Sequence, residues 1–538
     1  MMSHFEQEIE AALVAGNITK AARIAESALA AGHRNPLVYN LVAWEHAERG
    51  EFGVAREHLE LALQISPNDP FIKIGLGSLL RKEGRIDEAL LAFDFAINAM
   101  PENPSAWLER AYAFEDIGLL DRAAANYRKA SLLDPDMVPP IAGLASILAR
   151  QGESVRAREF ARVALDREPT NCVATIAVAR CDIEEGHIDD AIRNLTRLIA
   201  LEFVPAVERI VAFGLLGDAY DRQQEPELAF ASYASANLLF ADIRRPSETS
   251  DSEPLSQSDF IESITKAIDR SKAEDWLTTP SSFQVNEPRI HAFLIGYPRS
   301  GTTLVESILG TAQNVVASEE QATLREADIA FLLSGNGIED LMHLDGNGTL
   351  PFRKSYWDRA KRLGVDSSTR LFVDMDPLKG IKLPLIAKLF PSSRIIVVRR
   401  DPRDVVWSCF RQNFAPSAAA YEFTTLEGAA RHYDALMTLM QTCFTKMSLN
   451  TFELRYETLV WDFDGVTKSL CSFLDIPWTQ ELRKFHEKLH LREVTTASAT
   501  QVRRGLYDGS NQWRRFEEQM APILPILRPW VEKFGYVE

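Results

Sequence analysis

The sequence predicts an all-α helical-repeat solenoid followed by an α/β domain with a central parallel sheet, and three observations carry that prediction. Glycines, alanines and prolines recur every 34 residues through the first half of the chain. The second half alternates short apolar runs with helical segments, as strands joined by helical crossovers do. Between the halves, Pro246 to Ser258 reads PSETSDSEPLSQS, a polar, proline-containing break. The expected organisation is a repeat array over 1–245, a linker and connecting helix over 246–288, and an α/β domain over 289–538.

The array is written in four residue series. Glycines stand at Gly16, Gly50, Gly84, Gly118, Gly152 and Gly186, and alanines at Ala21, Ala55, Ala89, Ala123, Ala157 and Ala191. Small residues recur at Ala43, Gly77, Ala111, Ala145 and Ala179, and prolines at Pro67, Pro101, Pro135 and Pro169. Each unit then makes two amphipathic helices: the small residue lets them approach, the glycine turns the chain, the alanine packs in the contact and the proline ends the second helix. The spacing and residue types resemble the tetratricopeptide repeat. Ile9, in place of a small residue, fits an atypical first unit, and a degenerate seventh unit places Gly217 and Ala229 with a shift of four residues. The resemblance implies a surface that binds a peptide or protein segment.

The bulk composition fits this division. With 538 residues, 46% hydrophobic and 25% charged, the chain is an ordinary globular protein of two or more domains. No apolar run approaches the roughly 18 residues of a membrane span, and the start MMSHFEQEIEAAL lacks a signal peptide's basic and apolar parts, so a cytoplasmic location and no transmembrane segment are expected. The five cysteines form no CxxC pair, which favours reduced thiols. Net charge is −17, and since 30 basic and 30 acidic residues lie from His291 onward, the first half holds 29 basic against 46 acidic. Such a surface repels nucleic acid.

In the second half, Phe293 to Leu304 reads FLIGYPRSGTTL. Gly296 and Gly301 keep the GxxxxG spacing of a phosphate-binding loop between the apolar run Phe293–Ile295 and a helix from Leu304 to Leu309, where backbone N–H groups cradle an anion. No lysine follows Gly301, where a nucleoside triphosphatase would carry one; Thr302 and Thr303 stand there, and Arg299 supplies the cation as a forked donor. A second anion site is spelled by RIIVVRRDPRDVVWSCFRQNF: the strand Ile395–Val398 delivers Arg400, and Ser408 lies eight residues on, about two turns into the next helix.

Together these stretches resemble the PAPS-dependent sulfotransferases, in particular the tyrosylprotein and repeat-linked bacterial types, with a PxSGTT loop and an R(x)₇S pair. The resemblance runs from about Ile290 to the carboxyl terminus. It implies that Arg299, Ser300, Gly301, Thr302 and Thr303 bind the 5′-phosphosulfate of 3′-phosphoadenosine 5′-phosphosulfate, and that Arg400 and Ser408 bind its 3′-phosphate. The RYETL segment implies a nucleotide contact for Tyr456, and TASATQVRRGLY implies roles for Ser498 and Arg504. It also implies transfer without a metal to an acceptor hydroxyl, protein tyrosine among the candidates, with Glu320 in ASEEQ taking the acceptor proton and Arg299 assisting at the transferring group.

One position departs from the family. Where the tyrosylprotein enzymes place a lysine before the Asp-Pro step, this chain reads VDMDPLKGIK, with Met375 there and Lys379 and Lys382 further on as potential replacements. Loss of one preorganised charge costs on the order of a hundred- to a thousandfold in rate. The alternative reading is therefore a repeat scaffold with a degenerate nucleotide-binding domain. His486, Glu487 and His490 spell HExxH, but in a charged stretch without a nearby third ligand, so a solvated helix face is expected. His432 and Tyr433, on a helical stretch, are expected to be packing or surface residues rather than catalysts.

Overall fold

The computed structural model describes residues 4–243, 256–277, 288–489, 502 and 505–537. These fall into two compact units, Met1–Cys181 and Asp182–Glu538, which divide within helix α11 (Cys172–Glu185).

The first unit is a run of helix pairs, from α1 (His4–Val14) and α2 (Ile18–Ala30) to α9 (Val138–Arg150) and α10 (Ser154–Arg167). The four series act as their spacing demands. Gly16, Gly50, Gly84, Gly118 and Gly152 have φ between +70° and +82°, a left-handed region that costs an ordinary L-residue roughly 1–2 kcal/mol. A Cβ at Gly16, Gly50, Gly84 or Gly152 would meet nothing within 4 Å. Backbone handedness, not space, selects glycine there. At Gly77 the reason is space, because a Cβ would stand 2.5 Å from Phe93 Cε1 across the helix contact. Ala21, Ala55, Ala89, Ala123 and Ala157 are fully buried. Asn35, Asp69 and Asn103 cap the next helices by accepting backbone N–H groups, each followed by a proline that starts the helix.

The second unit contains helices α12 (Ile188–Ile199), α13 (Ala206–Arg222), α14 (Pro226–Ile243) and α15 (Gln257–Arg270), followed by the α/β part. Gly217 on α13 repeats the device of Gly77, with a virtual Cβ 2.5 Å from Tyr233 Cε1. Strands β1 (Ile290–Ile295), β2 (Val315–Glu319), β3 (Leu371–Met375), β4 (Arg394–Arg399) and β5 (Asn450–Arg455) form one parallel sheet in the order β2-β3-β1-β4-β5. A parallel sheet needs cover on both faces, and residues alternate between two cores accordingly. Ala292, Leu294, Val373, Met375 and Ile396 pack against α16 (Thr302–Leu309) and the helix Phe463–Phe473. Phe293, Ile295, Phe372, Ile395 and Val397 face the other way, into a core that includes Ala229 and Tyr233 of α14. The last repeat helix thus packs in the same core as the sheet. Among the described residues, no helix is long and apolar enough to cross a membrane.

Candidate active site

The site lies at the carboxyl end of the sheet, where β1 sits between β3 and β4. In parallel α/β sheets ligands bind outside these strand ends. After Ile295 the chain turns through Gly296, where a Cβ would stand 2.8 Å from Val398 O and 2.7 Å from Ser300 Oγ, so only glycine fits between the strands. Gly301, at φ +106°, opens α16, and a Cβ there would strike the Tyr456 ring at 2.6 Å. With glycine as N-cap, no side chain caps α16, which leaves the first N–H groups of a buried helix directed at the loop. Ser300, Thr302 and Thr303 are all buried beside them.

The two predicted anion motifs meet directly. Arg299, itself in a left-handed conformation at φ +69°, donates from Nε to Ser408 Oγ at 3.0 Å. Arg400 donates from Nη1 to Arg299 O at 3.0 Å and from Nη2 to Gly509 O at 2.6 Å, with its guanidinium 5.0 Å from the Tyr456 ring centre. The Tyr456 hydroxyl donates to Tyr507 O. Burial, with the neighbouring Arg411 and Arg400 guanidiniums, pushes Arg299 down to about 10, still cationic at neutral pH. Arg400 Nε is buried and has no hydrogen-bond partner among the described residues. A donor in that position suits a phosphate oxygen. Ser498 and Arg504 lie outside the described residues.

Glu320 follows the end of β2, at φ +45°, and its amide donates to Met375 O at 2.8 Å. Since Gly296 N donates to Pro377 O at 3.2 Å, the 375–377 segment runs between Glu320 and the phosphate loop. The separation is two strand spacings, about 10 Å. Glu320 keeps an exposed surface, yet much protein crowds around its carboxyl. That burial comes first, and repulsion from Asp376 and Glu319 adds to it against the pull of Lys379, pushing the carboxyl up to about 7.

Met375 is fully buried and faces the apolar core under α16. Both candidate lysines are held in ion pairs. Lys379 is fully buried in an ion pair with Asp374, which also accepts from Thr323 Oγ1 at 2.7 Å and Tyr356 Oη at 3.0 Å. Burial works to raise Asp374, and Lys379 with these hydrogen bonds overrides it, holding the carboxyl below its usual range. Lys382 pairs with Asp328 at 2.6 Å. His432 is buried, and its Nδ1 lies 2.7 Å from the hydroxyl of Tyr297 in the phosphate loop. Of the HExxH stretch, His490 lies outside the described residues.

Three partners were missed from sequence. Gly509 carries no local signal. Arg411 does: it follows Ser408 by three residues, on the same helix face, and caps the helix Pro402–Phe410. Asp221, in the seventh repeat, accepts from Arg411 and Arg515.

Residues 292–480 match the model of the sulfotransferase family, and residues 7–70 and 74–136 match that of the tetratricopeptide repeat. The α/β part is a sulfotransferase-family domain, and tetratricopeptide repeats precede it. Over 543 residues the chain is 24% identical to an "Uncharacterized protein" of Aquifex aeolicus (strain VF5), covering 90% of this chain and 68% of that one. It is 26% identical to Protein-tyrosine sulfotransferase 1 of Danio rerio over 40% of this chain, and 22% identical to Protein-tyrosine sulfotransferase A of Caenorhabditis elegans over 45%. These matches span 60% and 66% of the two animal proteins.

Proposed function

We propose that the protein transfers a sulfuryl group from 3′-phosphoadenosine 5′-phosphosulfate to an acceptor hydroxyl. The 3.0 Å contact between Arg299 and Ser408 carries this reading, because it joins the 5′-phosphosulfate loop to the helix of the 3′-phosphate pair. Arg299, Ser300, Gly301, Thr302 and Thr303 would hold the donor's 5′ end, and Arg400 with Ser408 its 3′ end, with Tyr456 against the nucleotide. The donor supplies an activated sulfur and a leaving bisphosphate. Glu320, carboxylate at the ordinary pH of the cell for a fraction set by its raised pKa, takes the acceptor proton as the acceptor oxygen bonds to sulfur and the sulfur–phosphate oxygen bond breaks. Arg299 and the α16 N-terminus stabilise the charge that develops on the transferring and leaving groups. Protein tyrosine is the acceptor class suggested by the names of the two animal relatives, and the repeat array is the element that would dock such a substrate or another protein segment.

Titration calorimetry with 3′-phosphoadenosine 5′-phosphate tests the binding half. The wild type should bind, and Arg400→Ala should weaken binding about ten- to a hundredfold, the loss of charge-assisted hydrogen bonds. No affinity in the wild type, or equal affinity in the variant, ends the proposal. The buried Met375 favours a second reading, a repeat scaffold that binds nucleotide without transfer. Donor consumption at background with a panel of tyrosine peptides, carbohydrates and phenols, while the nucleotide still binds, selects it.

A further inference from the structure

The last repeat, helices α13 and α14, lies within the second unit and touches the α/β part directly. Asp221 is the penultimate residue of α13, and its side chain is 12% exposed. It accepts from Arg515 Nη1 at 3.0 Å and Nη2 at 3.1 Å, and Arg411 Nη1 lies 3.5 Å away. Those arginines belong to the two segments that wall the phosphate site. Arg411 ends the helix Pro402–Phe410, which presents Ser408 to Arg299. Arg515 lies in the turn Gln512–Phe516, six residues beyond Gly509, whose carbonyl holds Arg400.

The surrounding contacts make the same connection. Asn237 of α14 donates to Phe410 O at 2.8 Å in a buried bond, Phe230 stacks on Phe410 at 5.2 Å, and Tyr233 meets Trp407 edge-on at 5.9 Å. Trp407 in turn stacks on Phe516 at 3.9 Å, and Asp404 accepts from the amides of Asn511 and Trp513. Packing fixes the distance between the two segments. The shared carboxylate, with Asp218 also within electrostatic reach of Arg411, offsets the repulsion between Arg411 and Arg515, and Arg411 lies within electrostatic reach of Arg299.

We infer that Asp221 is a positioning residue for the phosphate site, through which the last repeat sets the geometry of Arg400 and Ser408. The inference rests on the donor-binding role proposed above. It touches no ligand itself; it acts through Arg411 and Arg515.

The test uses the full chain, 3′-phosphoadenosine 5′-phosphate as probe, and amide hydrogen exchange as a ligand-free readout. Asp221→Asn should weaken binding about three- to thirtyfold, the range of coupling through packed networks, and should speed exchange over 402–412 and 505–516. Asp221→Glu should recover most of the affinity. Phe473→Leu, which trims the opposite core at a ring tilted against Phe452 with centroids 5.3 Å apart, serves as the stability control. At a comparable loss of Tm it should bind like the wild type. Unchanged exchange in both segments with Asp221→Asn overturns the positioning role whether or not the probe binds. Unchanged affinity in that variant, or an equal loss in Phe473→Leu, also overturns it. A wild type that fails to bind the probe refutes the donor reading instead, a result that the exchange data keep separate.

Discussion

The two sides of the site hold buried charge by opposite rules. On the side of Glu320, Asp374 and Lys379 are both fully buried and neutralise each other, with Thr323 and Tyr356 completing the carboxylate's hydrogen bonds. On the side of the Gly296–Gly301 loop, Arg400 gives its fork to the carbonyls of Arg299 and Gly509 and its face to Tyr456. An ammonium paired with a carboxylate offers no net charge to a ligand, whereas a guanidinium held by neutral oxygens still does. The difference is one of net charge: Lys379 is neutralised at the end of β3 by Asp374, whereas Arg400 keeps its charge beside neutral carbonyls, as the proposed donor site requires.

The largest effect that can break this contrast is on turnover. Glu320→Gln should lower the transfer rate by about 10²- to 10⁴-fold and leave nucleotide affinity within about twofold; a rate within tenfold of wild type would remove Glu320 from its role. Next comes Lys379→Met, which leaves Asp374 charged and buried without its partner and should cost about 3–5 kcal/mol of stability, measured by urea unfolding. If the lysine instead served the ligand, stability would hold and donor affinity would fall.

A pH profile sharpens the same comparison. Glu320 acts as a base only when ionised, so with its carboxyl pushed up to about 7 the rate should rise with pH through that region. A flat profile between pH 5.5 and 8.5 would contradict the assignment. The stability sign is opposite: a carboxyl raised by folding binds more protons in the native than in the unfolded state between its two pKa values. Its stabilising contribution is present below the unfolded value near 4.5 and is lost as pH rises toward 7. Glu320→Gln should therefore gain on the wild type in Tm from pH 5 to pH 8. The smallest effect belongs to the array, away from either charge arrangement. Gly84→Ala, at φ +77° with open space around it, should cost roughly 1–2 kcal/mol by backbone strain alone and leave nucleotide affinity unchanged.

Legibility followed the range of the interactions. The array was readable residue by residue because each unit repeats one local solution: Gly16 to Gly152 at positive φ, Ala21 to Ala157 buried in the pair contact. The strands β1 and β4 were readable as apolar runs, and the loop from Gly296 to Gly301 as a glycine spacing. Lys379 and Lys382 looked from spacing alone like replacements for the charge absent at Met375, and the fold instead commits them to Asp374 and Asp328. Sequence places a lysine on a helix but does not reveal the carboxylate that another strand or helix turns toward it. For the same reason Gly509 and Asp221 escaped notice: their partners, Arg400 and the Arg411–Arg515 pair, lie more than a hundred residues away.

By itself the sequence determined the paired repeat helices, their period and the glycine turn from Gly296 to Gly301, because turns and caps are built from neighbouring residues. Tertiary structure alone decided that Arg299 touches Ser408, that Glu320 stands two strands from the loop with a raised pKa, and that the last repeat's Asp221 holds the wall of the site. Those outcomes depend on which strand ends become neighbours in the order β2-β3-β1-β4-β5, and on which charges lose their water when they do.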